Sequence, residues 1–199
     1  MADIDILIGP GRLYYAPLAT ANPDETTVAF GGTWTSWTSV EDFLEGSGVT
    51  LSMEEEHTKM YTELSTAPVA AVRTKREPII KLTLAEHSGA NLALVLDGTK
   101  TDTAAGASQK AYSSIPFGTN STIDFYKWGI EGFRYDSAGT AQPVRYFFHK
   151  GFLRLAGDVN FSKSDPTGIP VEITILADRS QSAGAELGEL VIVTAPATS

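Results

Sequence analysis

The chain contains no cysteine, which excludes disulfides, thiolate metal sites and cysteine nucleophiles. Basic residues are outnumbered, 15 Lys and Arg against 24 Asp and Glu, for a formal net charge of −9. Nucleic-acid affinity comes mainly from Lys and Arg displacing counterions, so direct gripping of DNA or RNA is disfavoured at that sign. Histidine is scarce. Glu54, Glu55 and Glu56 precede His57, and Glu86 precedes His87, but no His-x-x-x-His or Glu-x-x-His spacing on a helix supports a metal site, and His149 stands alone. They read as surface or helix-end histidines, and no metal is expected. A Gly-x-Ser-x-Gly elbow and a P-loop are both missing. Gly9-Pro10-Gly11 lacks a preceding buried strand and a following helix, so it reads as a turn rather than a phosphate loop. Carboxylates abound, but no glycosidase pair can be chosen without geometry. No catalytic residue, cofactor or enzymatic activity is therefore expected. No run approaches the roughly 20 apolar residues of a membrane span. The first five residues carry acids where a signal peptide carries bases. A soluble protein folding in the cytoplasm, with no membrane partner, is the expectation.

What is present is organised around a hairpin over residues 48–86. Its first arm alternates, with Val49, Leu51 and Met53 on one face and Thr50, Ser52 and Glu54 on the other. The second arm sets Ile80, Leu82 and Leu84 against Lys81 and Thr83. Period-two alternation buries one face and leaves the other polar. Between the arms, residues 55–79 far exceed what a hairpin turn needs. They read as a long loop that touches something, because loops of that length in compact domains are usually functional or disordered. The loop is charge-ordered, with Glu55, Glu56 and Glu63 on its ascending side and Arg73, Lys75 and Arg76 near its return. Such separation suits complementary patches on another copy and sets register more than affinity.

The rest of the chain reads as short strands. Residues 1–9 form an arm, 12–18 a first strand, and 28–30 a short apolar piece. Trp34 reads as a strand residue and Trp37 as a corner or interface residue. One helix is expected, capped by Ser88, running through 90–96 and stopped by Asp97-Gly98. Residues 97–121 are rich in Gly, Ala, Ser and Thr and read as a loop or insertion. Strands are expected over 122–128 and 144–148, separated by a turn at 136–140. A second polar-faced hairpin spans 151–162 and 169–177, turned by Asp165-Pro166-Thr167-Gly168. Its polar faces are Asp158, Asn160 and Ser162, and Glu172 and Thr174. Beyond a linker at 180–188, a last strand at 189–193 stands apart and is free to pair with a neighbour. The expected fold is mainly β, a β-sandwich or barrel of antiparallel strands with one docked helix. Trp34, Trp37, Trp128, Tyr126 and Tyr146 read as core and subunit-interface residues in preference to a sugar-binding platform.

The segment Gly11-Arg12-Leu13-Tyr14-Tyr15-Ala16-Pro17-Leu18-Ala19-Thr20 resembles the opening strand of siphophage major tail proteins, the tail tube subunits. The Trp-containing piece at Trp34, the acidic strand from Gly48 to Glu56, and the return from Arg76 through a strand into the helix ending at Leu96 are similar to the same family. Phe161 to Asp178 also resemble it, so the likeness covers most of residues 9–178. The resemblance implies an arm (1–9), a tail-tube β-sandwich domain (10–178, with the loop 55–79 and the insertion 97–121) and a carboxyl extension (179–199). It implies hexameric rings stacked into a hollow virion tube through which phage DNA passes without specific binding. Tape-measure and tail-tip proteins are then partners, and assembly occurs in the host cytoplasm. Under that reading Thr50, Ser52, Glu54, Lys81, Thr83, Asp158, Asn160, Ser162, Glu172 and Thr174 face the lumen, while Glu55, Glu56, Glu63, Arg73, Lys75 and Arg76 contact the next ring. A type VI secretion-like tube protein shares this architecture, and a carbohydrate-binding β-sandwich is the alternative from another class.

Overall fold

The computed structural model describes residues 7–24, 28–40, 43–44, 46–118, 122–135, 139–159 and 168–193, with backbone alone for 7–10. In chain order the elements are β1 (Leu7–Pro17), β2 (Thr38–Val40), β3 (Thr50–Met60), β4 (Ala70–Leu84), α1 (Gly89–Val95), β5 (Thr101–Thr103), β6 (Tyr112–Ser114), β7 (Tyr126–Tyr135), β8 (Ala141–Leu155), β9 (Ile169–Ile175) and β10 (Gly188–Ile192). One antiparallel sheet runs β2-β1-β7-β8-β9-β4-β3, with β10 as an additional partner of β8, and β5 and β6 form a separate small hairpin.

The sheet curls over its own core. Alternation places Ile80, Leu82 and Leu84 of β4 beside Ile169, Val171, Ile173 and Ile175 of β9, and these meet Leu13 of β1, Trp128 and Ile130 of β7 and Phe148 of β8. The curl brings the two ends of the path together without joining them as a barrel: a Cβ placed on Gly11 of β1 would lie 3.5 Å from Val49 at the root of β3. The Leu44 N–H, just beyond β2, donates to Thr83 O at 2.9 Å. The result is sandwich-like, as the alternation implies. Helix α1 packs its Val95 into the same core. Ser88 caps it by accepting from the Asn91 N–H, and Asp97, at φ 51°, ends it while the Gly98 N–H reaches back to Ala93 O at 2.9 Å. Both the cap and the stop are where the sequence places them.

The opposite face of the β1–β7–β8 half carries a second cluster: Tyr14, Ala16, Trp34, Trp37 and Phe147. Neither tryptophan is in a strand. Trp34 stacks on Tyr14 at 4.1 Å between ring centroids, and Trp37 stands edge-on to Trp34 at 5.3 Å. Trp34, Trp37 and Trp128 are all buried, so they present no aromatic platform to solvent.

Several boundaries differ from the sequence reading. Gly9-Pro10-Gly11 lies inside β1, at a register irregularity between Ile8 and Arg12, and is a bulge rather than a turn. The expected loop at 55–79 is mostly paired strand, and only 61–69 connects β3 to β4. The strands expected at 144–148 and from 151 are one strand, β8, which ends at Leu155. The strand expected over 122–128 starts only at Tyr126. Residues 97–121 contain the β5–β6 hairpin, tied by Lys100 and Ser113, which both bond the Asp102 carboxylate. Strand β10 does not stand apart. It pairs with β8 from Gly188↔Phe148 to Ile192↔Val144, filling the stretch of β8 edge that lies before the β9 ladder at Gly151↔Ile175. Residues 1–6 of the arm, 165–167 of the second turn and 136–138 of the first lie outside the described residues.

Candidate functional site

Strands β3, β4, β9 and the end of β8 share one outward face. Register fixes its members: Thr50 is opposite Lys81, which is opposite Glu172, which is opposite Arg154. One step along, Ser52 is opposite Ile79, then Thr174, then Phe152. Thr83 continues the β4 row and Glu54 the β3 row, the latter facing Glu77. Seven residues expected on this face (Thr50, Ser52, Glu54, Lys81, Thr83, Glu172 and Thr174) are therefore together on it. Asp158 is not, because β8 ends before it and its backbone has left the ladder. Asn160 and Ser162 lie outside the described residues. In their place Phe152 and Arg154 supply the β8 row. The signal for them was present, since Phe152 and Arg154 alternate with Leu153 and Leu155 directly after Gly151.

Arg154 changes the electrostatics of the face. Its Nε donates to Glu172 Oε1 at 3.2 Å and its Nη2 bonds the same oxygen, while Lys81 Nζ stands 3.7 Å from Glu172 Oε2. The Arg154 hydrogen bond, with Lys81 adding to it, holds the Glu172 carboxyl below the usual carboxylate range against the effect of its burial. The Thr50–Lys81–Glu172–Arg154 row is thus polar and not uniformly acidic, with Lys81 and Arg154 sharing one carboxylate. The next row carries the apolar Ile79 and Phe152, and its Ile79 and Thr174 are buried.

Beyond the last β9 pairing, Ile79↔Thr174, strands β3 and β4 continue alone as a two-stranded ribbon to Met60↔Ala70. With no neighbour on either edge among the described residues, its side chains are nearly all exposed. The charged residues expected to meet another copy first meet one another. On one face Arg76 Nε lies 3.1 Å from Glu55 Oε1, and Arg73 and His57 lie 3.6 and 3.7 Å from Glu55 Oε2. On the other, Lys75 Nζ is 2.8 Å from Glu77 and 3.6 Å from Glu54, and the Glu77 hydrogen bond raises the Lys75 pKa. A bulge between Glu56 and His57 shifts the register, so Glu56 faces Lys75 while His57 faces Arg73. Exposed pairs of this kind are individually weak, and together they favour one register of the ribbon. Glu63 sits apart, on the tip.

The three histidines do not converge. His57 is exposed on the ribbon, His87 is exposed before α1, and His149 is buried in β8. Among the described residues no three His, Asp or Glu side chains come together as a metal site, and no helix is long and apolar enough to cross a membrane.

The sequence reading also missed a buried ion pair behind the sheet. Arg145 of β8 and Glu131 of β7 are opposite each other in register, and both are fully buried. Arg145 Nη2 also donates to Val28 O at 2.7 Å, and Glu131 Oε2 accepts from the Gly31 N–H at 3.1 Å. The pair clamps the segment that carries Trp34 onto the sheet, so it organises the wall behind the polar face.

Set against known proteins, a family model described as phage tail tube protein matches residues 5–188. No curated protein matches the chain.

Proposed function

The chain belongs to the phage tail tube protein family, and on that footing we propose that it forms hexameric rings that stack into the hollow conduit for phage DNA. The observation that carries this reading is the shared polar face of β3, β4, β9 and the end of β8. Among the described residues that four-stranded unit has two free edges. One is β3, and the other is β8 past Gly151, where the β7 ladder has ended. Free edges invite strand pairing with another chain, and closing the unit around a ring removes them. The lumen is then lined by Thr50, Ser52, Glu54, Lys81, Thr83, Glu172 and Thr174, with Phe152 and Arg154 beside them. Hydroxyls and self-neutralised charges offer the phosphate backbone no unpaired cation to displace its counterions, so DNA slides without sticking.

The ribbon, with Glu55, Glu56, Arg73, Lys75 and Arg76 on its shaft and Glu63 on its tip, reaches the next ring. Its role is structural rather than catalytic. Tape-measure and tail-tip proteins bound the tube at assembly in the host cytoplasm, and the product is part of the virion. Negative-stain microscopy of the purified protein tests the reading. Rings or tubes with a stain-filled channel are expected, whereas monomers at every concentration and salt overturn it.

A further inference from the structure

Three side chains with no part in the polar face or the ribbon meet where the loop after β1 crosses β7. Lys127 of β7 donates through Nζ to Thr20 O at 2.7 Å and lies 3.5 Å from Asn22 Oδ1. The other end of the same carboxamide is held by a third element, since Asn22 Nδ2 donates to Glu189 Oε1 of β10 at 2.6 Å. The loop itself is pinned to its neighbours. The Thr20 N–H donates to Pro17 O at 2.9 Å, and Trp37 Nε1 donates to Ala21 O at 2.9 Å. Lys127 and Asn22 are half-buried, while Glu189 is exposed.

We propose that Lys127 and Asn22 join through an intramolecular isopeptide bond, with Glu189 carrying the proton. Nζ, reacting as the free amine, adds to Asn22 Cγ. In the tetrahedral intermediate Nζ and Nδ2 share one carbon, which brings Nζ within reach of the carboxylate already bonded to Nδ2. Glu189 takes one proton from Nζ and returns it to Nδ2. The Cγ–Nδ2 bond breaks, ammonia leaves, and a Cγ–Nζ amide remains. The exchange balances without oxidant, metal or cofactor. Holding amine against carboxamide in one folded chain replaces a bimolecular encounter with a unimolecular step.

Two further features favour this reading. Asn22 is followed by Pro23, which has no backbone N–H. The usual loss of ammonia from asparagine, through the next amide nitrogen, is therefore closed, and attack by a neighbouring amine is the open route. The chain also has no cysteine, so no disulfide ties its elements. A bond from residue 22 to residue 127 closes a loop that holds β2 to β6 and α1. Cross-links over long loops restrain the unfolded chain most. The proposal concerns one folded subunit and stands whether or not tubes form.

Mass spectrometry of the full chain, folded and then denatured, tests it. Wild type should weigh less than its residues require by one ammonia, whereas Lys127→Arg and Asn22→Ala should show no deficit. Tryptic digestion of wild type should give a branched peptide joining the Asn22 and Lys127 segments, uncut after Lys127. Glu189→Gln should slow formation of the bond by roughly tenfold or more. Folded wild type that keeps its full mass after prolonged incubation overturns the proposal, and that result needs no variant to fold. An ammonia deficit that persists in Lys127→Arg overturns it as well. Bond formation at the wild-type rate in Glu189→Gln overturns the part given to the carboxylate.

Discussion

Arg145 donates to Glu131 through Nε at 3.0 Å and Nη2 at 2.9 Å, with both side chains at 0% exposure. A buried pair of this kind is weak evidence for net stability, because desolvation opposes the attraction. Its value here lies in what else it holds. Further hydrogen bonds from the pair go to Val28 O, Ala29 O and the Gly31 N–H. The pair thereby gives a segment with no strand of its own a fixed place, and Trp34 follows, its ring 5.4 Å from the Arg145 guanidinium.

Removing one partner strands the other charge. Arg145→Ala or Glu131→Ala should each destabilise the subunit by about 3–5 kcal/mol. Replacing both, Arg145→Met with Glu131→Leu, should cost clearly less than the sum of the singles, the residue of the loss coming from the freed backbone groups at 28–31. Urea denaturation of the four proteins checks this. Additive losses would show that the two side chains do not act as a unit.

The same wall depends on a missing side chain. A Cβ on Gly129 of β7 would fall 2.5 Å from the Trp34 ring and 3.3 Å from Trp37. Gly129→Ala should therefore displace the stacked Trp34 and cost about 1–3 kcal/mol, in the range of overpacked cores. A shift in tryptophan emission together with a lower urea midpoint is the expected result. An unchanged midpoint would mean that the 28–40 segment yields without cost.

How far these features were legible in the sequence follows from what alternation can report. The arms around Leu51 and Leu82 were legible because a buried face and a polar face differ in hydropathy. Ser88 and Asp97-Gly98 were legible because caps are local chemistry. The ribbon past Glu54 was not, since both its faces are exposed and His57-Thr58-Lys59 carries no two-residue period even in a regular strand. Pro78, a residue that disfavours a central strand, sits inside β4 opposite Met53. Nothing in the alternation marks Glu131 and Arg145 as buried, and only the fold shows that the 28–31 backbone covers them. The polar rows of β3, β4 and β9 are legible in the alternation. On the fourth strand the sequence reading places Asp158 on the face and omits Arg154, because nothing local marks the end of β8 at Leu155.

Acid should release the carboxyl end before the core. Asp178 accepts from the Ser180 N–H at 3.0 Å, the Ser180 hydroxyl at 2.8 Å and Gln181 Nε2 at 3.3 Å, and these bonds, the Ser180 N–H first, lower its pKa to about 2. A carboxyl with a depressed folded pKa stabilises the fold above its unfolded value and loses that contribution as pH falls through the folded one. The turn it closes leads to β10, and the Asp178 N–H itself donates to Glu186 O at 2.8 Å. Between pH ~4 and ~2, amide exchange across 188–192 should therefore rise more in wild type than in Asp178→Asn, which lacks the titrating group. Identical profiles for the two proteins would remove Asp178 from the account.

The lumen assignment makes a claim that assembly alone cannot check. Thr50, Ser52 and Thr83 lie on the polar face with no ion pair among the described residues; Ser52 donates to Ile79 O at 3.3 Å, and the Thr83 methyl lies against Gly168. Thr50→Arg, Ser52→Arg and Thr83→Arg together should leave the core untouched, because the core-facing row of Leu51, Ile80, Leu82 and Leu84 is unchanged. Tubes should still form. Their walls would carry unpaired guanidinium groups that bind phosphate and release counterions, so genome ejection should slow by on the order of tenfold or more and recover as salt is raised. Arginines at Thr99, Thr101 and Ser108, which are exposed on and beside the β5–β6 hairpin, provide the control with the same added charge away from the face. If the control slows ejection as much as the triple variant, or if the triple variant ejects normally from intact tubes, the polar face does not line the channel.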